Sequence, residues 1–135
     1  MEDLFQELDI PERVAMLEGA EQKVFNDGEM VLAEDLRNDD IYAIVEGEVR
    51  VVVGSGEKAI EVARLSAGTF FGEMSFLSHA TTSASIIAAG KVEIMCVTQK
   101  NILGMIEKDP GFAGRFYRSL ACTLAERLRR SNQRS

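Results

Sequence analysis

Residues 70–85, FFGEMSFLSHATTSAS, hold the one stretch whose residue types and spacing read as a ligand pocket. Glu73, a lone carboxylate, follows Gly72; a short helix-like run comes next, and then small hydroxyl residues cluster through Thr81, Thr82, Ser83 and Ser85. The question such a stretch raises is what would hold the charge of an anionic ligand. Covalent chemistry finds no support. With a single histidine, His79, the chain has no Cys–His or Ser–His–Asp layout, and it shows no metal-ligand cluster and no glycine-rich nucleotide loop. A non-enzyme without a metal or a cofactor is expected.

The elements that must position these residues belong to one domain spanning 1–135, since 135 residues suffice for one real core and not for two. Hydrophobic residues make up 46% and charged residues 27%, the balance of a soluble globular chain. No apolar run approaches the roughly 18–20 residues of a membrane span, and the acidic start MEDLFQELDI lacks the layout of a signal peptide. A cytoplasmic protein with no membrane partner is expected. Cys96 and Cys122 sit in apolar surroundings without CxxC spacing and read as small buried hydrophobes. Charge is uneven: residues 111–135 carry six arginines against one glutamate, a net +5, which leaves −12 on the rest of a chain of net −7. An acidic body argues against nucleic acid as a partner. The basic end suits the C-terminus of a helix, whose dipole favours cations.

Residues 2–19 read as two short helical pieces, the first with Leu4, Phe5 and Leu8 on one face, the second opened by Pro11 and closed near Gly19. Over 21–97 the pattern changes to short strands: 24–25, 30–32, 41–53, 59–65, 85–89 and 92–97. Turn signals separate them at Asn26-Asp27-Gly28, Asn38-Asp39-Asp40, Glu46-Gly47, Gly54-Ser55-Gly56 and Gly90-Lys91. Strands of this length and spacing suggest a sandwich or barrel. From Thr98 the period is helical, with Thr98 as a cap and Asp109-Pro110 opening a last, long helix. In that helix Phe112, Phe116, Leu120, Leu124 and Leu128 recur every four residues. Such a stripe serves either as core or as interface. A helix of about 20 residues is long for one small sandwich to cover, so Phe116, Leu120, Leu124 and Leu128 are expected to form the seam of a homodimer.

Gly28, the run Ile41-Tyr42-Ala43-Ile44-Val45-Glu46-Gly47-Glu48-Val49-Arg50-Val51, and Phe71-Gly72-Glu73-Met74 together resemble the cyclic-nucleotide-binding domain family. That family includes the effector half of bacterial catabolite activator proteins and the regulatory domains of cyclic-nucleotide-dependent kinases and channels. The resemblance covers nearly the whole chain. It implies a mainly β fold: a double-stranded β-helix, or jelly roll, at 21–97, with short N-terminal helices and two closing helices at 98–131, the last one long. It also implies a phosphate cassette at 71–85. There Gly72, Glu73 and Met74 would start a short helix whose amides face a cyclic phosphate, with Ser75 as a further donor and Glu73 accepting from the ribose hydroxyl. Ser83 stands where a small residue serves the phosphate. A carboxylate at this position also reads as one that satisfies its own helix cap.

One part of the pattern is exchanged. Cyclic-nucleotide binders of the family carry an arginine about nine residues after the glutamate, where this chain has Thr81 and Thr82. No Lys or Arg occurs between Arg64 and Lys91, so no slip of alignment restores it. A hydrogen bond to a charged group contributes about 1.5–3 kcal/mol against about 0.5–1.5 for a neutral one, so the exchange forfeits roughly 5- to 30-fold in affinity. Thr81, Thr82 and Ser83 still offer hydroxyls. In the loop before the Tyr42 strand, Asp35 and Asn38 replace glycines frequent in the family, and Arg37 is a cation within reach of the cassette by a swing of that loop. The expected function is a regulatory sensor module, its ligand a cyclic nucleotide or another small anion, its signal passed through the C-terminal helices to a homodimer mate or a protein partner. The alternative is a pocket-degenerate scaffold for dimerisation or protein interaction. No helix-turn-helix follows the long helix in the sequence, and no nucleic-acid partner is expected.

Overall fold

The computed structural model of the protein describes residues 6–134. The helical piece expected around Leu4 and Phe5 lies outside the described residues. In chain order the elements are α1 (Ile10–Glu18), β1 (Glu21–Phe25), β2 (Met30–Leu32), β3 (Ile41–Val53), β4 (Ile60–Ser66), β5 (Phe70–Phe71), α2 (Glu73–Ser78), β6 (Ser85–Val97), α3 (Gln99–Lys108) and α4 (Pro110–Arg134). The strands pair antiparallel in the order β1-β6-β3-β4, with β2 added to β6 and β5 to β3. They curl into the expected jelly roll, closed by helices at both ends.

The strand expected at 41–53 is found as β3, while the two strands expected at 85–89 and 92–97 are one. Gly90-Lys91 is not a turn: β6 runs unbroken through it, paired with β3 from Ile41–Val97 to Val52–Ser85. The register shifts at Ile44–Glu48, where Gly47 takes φ +94°, and Gly90 takes φ +78° in the facing strand. These glycines bend both strands together, so the turn signals become a corner of the sheet. A side chain at Gly47 would meet the Lys91 carbonyl oxygen at 2.5 Å, which makes the corner a glycine position twice over.

Alternation along β5 divides the core. Phe70 joins Met16, Ile41, Val97, Ile102, Phe112, Phe116 and Leu120 between roll and helices. Phe71, one residue on, faces the opposite way and joins Tyr42, Ile44, Val49, Ile86, Val92 and Ile94 inside the roll. Cys96 is buried in this second cluster and Cys122 is half-buried; both are free thiols. Burial, helped by the nearby Asp40, pushes the Cys96 thiol up.

The helices are capped as their sequences suggest. Thr98 Oγ1 accepts from the Asn101 amide at 3.2 Å, and Asp109 Oδ1 accepts from the Gly111 amide at 3.0 Å. Asp9 and Glu12 form a capping box on α1. Arg115 of α4 donates through Nε to Glu12 Oε1 at 3.0 Å and through Nη2 to Oε2 at 2.5 Å, fastening α1 to α4. Among the described residues no helix is long and apolar enough to cross a membrane.

The Arg115 hydrogen bond is the main cause that holds the Glu12 carboxyl below its ordinary range, against the opposing effect of burial. A carboxyl depressed in the folded state adds stability above its unfolded value, about 4.3, and loses that stability as pH falls through the folded value. Glu12→Gln is therefore expected to lower Tm near neutral pH. The gap to the wild type should close as pH falls from about 5 to 3, as thermal unfolding followed by circular dichroism would show. A gap independent of pH would contradict this reading of Glu12.

Candidate ligand-binding site

A cavity of about 440 Å³ opens between the roll, α2 and the end of α4. Its apolar wall includes Leu32, Val51, Phe71 and Ile86; its polar side includes Gly72, Glu73, Met74, Ser75, Thr82 and Ser83. Strand β5 delivers the chain to this wall, and Gly72 turns it into α2 with φ +88°. A Cβ there would meet the Asp40 carbonyl at 2.8 Å and Asn38 Nδ2 at 3.0 Å, so Gly72 answers both the backbone turn and the close approach.

Glu73 is buried, with only 5% of its surface exposed. Its Oε1 accepts from Arg127 Nη1 of α4 at 2.6 Å, across 54 residues of sequence. The same guanidinium donates through Nη2 to the Phe70 carbonyl at 2.5 Å and lies 4.5 Å over the Phe70 ring. The buried carboxylate is thus matched by one guanidinium, whose other groups meet a backbone acceptor and an aromatic face. The pair joins the start of α2 to the last turns of α4. Arg130 of α4 and Arg64 of β4 also line the cavity. Arg130 pairs with Glu126 at 3.4 Å, and Arg64 is held by Glu48 and Glu61, each at 2.9 Å.

At the other end of the cassette, Thr82 is buried and works as a staple. Its hydroxyl donates to the Ala33 carbonyl at 2.5 Å and accepts from the Leu36 amide at 3.1 Å. Its backbone amide donates to the Leu36 carbonyl and its carbonyl accepts from the Asp35 amide. Four hydrogen bonds tie the cassette to the β2–β3 loop.

A model of the cyclic nucleotide-binding domain matches residues 22–109. The chain belongs to the cyclic nucleotide-binding domain family. The cAMP-dependent protein kinase regulatory subunit of Mycosarcoma maydis is 35% identical over 92 residues, covering 67% of this chain and 17% of that protein. The type II regulatory subunit of Drosophila melanogaster is 30% identical over 81 residues, 60% of this chain and 22% of that one. The chain therefore spans about a fifth of the length of these curated relatives. Among solved structures, the catabolite activator protein of Thermus thermophilus superposes with a TM-score of 0.81 at 26% identity, over 97% of this chain and 60% of that one.

In this cyclic nucleotide-binding fold, Gly72, Glu73, Met74, Ser75, Thr82 and Ser83 come together around the cavity. Thr81 does not line it. Its exposed hydroxyl donates instead to Asp35 Oδ1 at 3.0 Å. Thr82 lines the cavity with its hydroxyl already engaged on both sides, which corrects the expectation of two threonine hydroxyls offered to a ligand. Arg37 remains on the surface beside Asp39, and His79 closes α2 with φ +60°.

The expected seam on α4 also needs correction. Phe116 and Leu120 are 0% and 1% exposed within this protomer and belong to its own core. Only Leu124, half-buried, and Leu128, 64% exposed, remain accessible. Steps of four residues gain about 40° each on a helix of 100° per residue, so a stripe in strict fours winds off its face. The inward face corrects itself with steps of three: Phe112, Phe116, Ser119, Leu120 and Thr123 are all buried, and Arg127 follows one turn later. Sequence reasoning missed Arg127 because it looked for the cation inside the cassette. The signal was its place four residues after Thr123 on the core-facing side.

Removing the guanidinium takes the counter-charge from a buried carboxylate. Arg127→Ala is expected to destabilise by on the order of 3 kcal/mol and Glu73→Gln by less, with a double-mutant coupling of about 1–3 kcal/mol in denaturant unfolding. Additive losses would show that the two side chains contribute independently.

Proposed function

We propose that the protein is a non-enzymatic cytoplasmic sensor module that holds a cyclic nucleotide between the cassette and α4, with affinity for cAMP weakened by the exchange at Thr82. The observation that carries the reading is the Glu73–Arg127 pair. A ribose hydroxyl that donates to Glu73, as the family resemblance implies, shares that carboxylate with the long closing helix α4. Occupancy then changes the hold on α4, and a differential hold in the two states is what a ligand needs in order to shift an equilibrium. Gly72, Glu73, Met74, Ser75 and Ser83 are the contacts proposed for the ligand; Thr82 shapes the wall.

Loss of the cassette arginine costs roughly 1–2 kcal/mol of phosphate binding, and Thr82 has no spare donor to offset it. A single titration by calorimetry against cAMP, cGMP and a cyclic dinucleotide tests this. Binding weaker than micromolar is expected for cAMP, and a submicromolar constant would overturn the reading of Thr82. Thr82→Arg is expected to raise cAMP affinity by about tenfold while lowering Tm, because the same substitution introduces a counter-charge and removes the staple. The buried staple also favours a second reading, in which the phosphate end of the pocket has been converted to structure and the domain serves as a scaffold. No response of the Thr82→Arg variant to any of the three nucleotides would favour that scaffold.

The homodimer is proposed on a different face from the expected one. Tyr117, Ala121, Leu124 and Leu128 recur at steps of 4, 3 and 4, the spacing of a two-stranded coiled coil. Tyr117 is 41% and Leu128 64% exposed, and Ala121 is exposed between them. Sedimentation equilibrium is expected to give a dimer for the wild type and a monomer for Leu128→Glu, with the Tm of the isolated fold little changed. A monomeric wild type at high micromolar concentration would rule the seam out.

A further inference from the structure

Asn38, in the turn before β3, is only 6% exposed. A buried side-chain amide at a turn needs partners, and Asn38 finds them on two segments. Its Nδ2 donates to the Asp40 carbonyl at 2.8 Å and to the Gly72 carbonyl at 3.3 Å, while its Oδ1 accepts from the Asp40 amide at 3.3 Å. The Gly72 carbonyl also accepts from the Phe76 amide, so it opens α2 as well. Asp40 continues outward. Its Oδ1 accepts from the amide of Gln99, the first residue of α3, at 3.1 Å, and its Oδ2 lies 3.9 Å from Cys96 Sγ. A carboxylate on the first amide of a helix satisfies an orphan donor and suits the dipole. Asp40 therefore caps α3 from outside, beside the local cap from Thr98 to the Asn101 amide.

We propose that Asn38 and Asp40 form a bracket through which a displacement of the cassette at Gly72 reaches the N-terminus of α3. Slack is small at the cassette end: a single added carbon at Gly72 would already meet the Asp40 carbonyl, Asn38 Nδ2 and Tyr42 within 3.1 Å. Tyr42 in turn stacks on Phe71 at 5.1 Å, so the hinge is held from its β5 side too. At the far end, α3 carries Ile102 into the core that also holds Phe112 and Phe116 of α4. Occupancy thus has two routes to α4. One is direct, through Glu73 and Arg127. The other runs through Asn38, Asp40 and α3. Asn38 is a positioning residue: it touches the hinge of the cassette and acts on the ligand site through it. The sensor reading supplies the ligand that would move Gly72; the bracket itself stands on the hydrogen bonds.

Coupling requires more than adjacency, and amide exchange measures it without any ligand. In the ligand-free protein, Asn38→Ala is expected to speed exchange of the Gln99 amide by about tenfold, the equivalent of one lost hydrogen bond. The Asn101 amide, held by Thr98, should change by less than about twofold, which separates the effect from general destabilisation. Asn38→Asp, of the same shape but without the donor to Gly72, serves if the alanine variant fails to fold, and the same change is expected. Gln99 exchange equal to that of the wild type in a folded variant would overturn the bracket. Saturation with cAMP adds a second arm, read by amide shifts. Movement at Met74 and Ser75 together with Gln99 in the wild type, and at Met74 and Ser75 alone in Asn38→Ala, supports the bracket. Equal movement of Gln99 in both proteins overturns it. No movement at Met74 and Ser75 in the wild type sinks the sensor reading instead, and the ligand-free exchange still decides the bracket.

Discussion

A carboxylate that is 95% covered cannot stand at the start of α2 without a counter-charge, and most of the architecture around the cavity answers that one demand. Glu73 takes its cation from α4, which requires the long helix to lie across the mouth of the roll with Arg127 facing inward. Arg127 in turn is placed by the buried turns before it, from Phe112 to Thr123. The ion pair and the helix–roll core are thus two consequences of one geometry. A buried pair of this kind is poor evidence for added stability relative to an apolar pair of the same volume. What the pair does show is where the helix docks: Arg127 meets Glu73 and the Phe70 carbonyl together.

The four residues Phe70-Phe71-Gly72-Glu73 concentrate the chemistry. Successive side chains serve the helix core and the roll core; the left-handed glycine then reverses the chain, and the glutamate turns into the space so made. Nothing larger than glycine fits against Asn38, Asp40 and Tyr42 at that turn. The turn is closely packed against both neighbouring segments, so a shift of the cassette here bears directly on them.

The other end of the cassette is tied to a loop. Thr82 turns its hydroxyl to the β2–β3 loop and closes four hydrogen bonds with it. The cations that line the cavity stand on β4 and α4, outside the cassette.

Local rules made much of this legible before any coordinates. The short strands between turn signals, the Gly54-Ser55-Gly56 link between β3 and β4, the Thr98 and Asp109 caps and the Phe-Gly-Glu start of the cassette are short-range features, and the structure contains them. The sequence by itself also determined that no cation lies within the cassette, because that is a matter of composition between Arg64 and Lys91. What it could not decide were relations across the chain. Gly90 reads as a turn until β3 is found beside it, bending at Gly47 in the same place. Phe116 and Leu120 read as a seam until the roll is found already covering them. Arg127 reads as one charge in a basic tail, and Asn38 as a turn residue, until Glu73 and Gly72 arrive from elsewhere in the sequence. Periodicity assigns a residue to a face; only tertiary packing decides what that face meets, since the partner's position depends on every element folded between them.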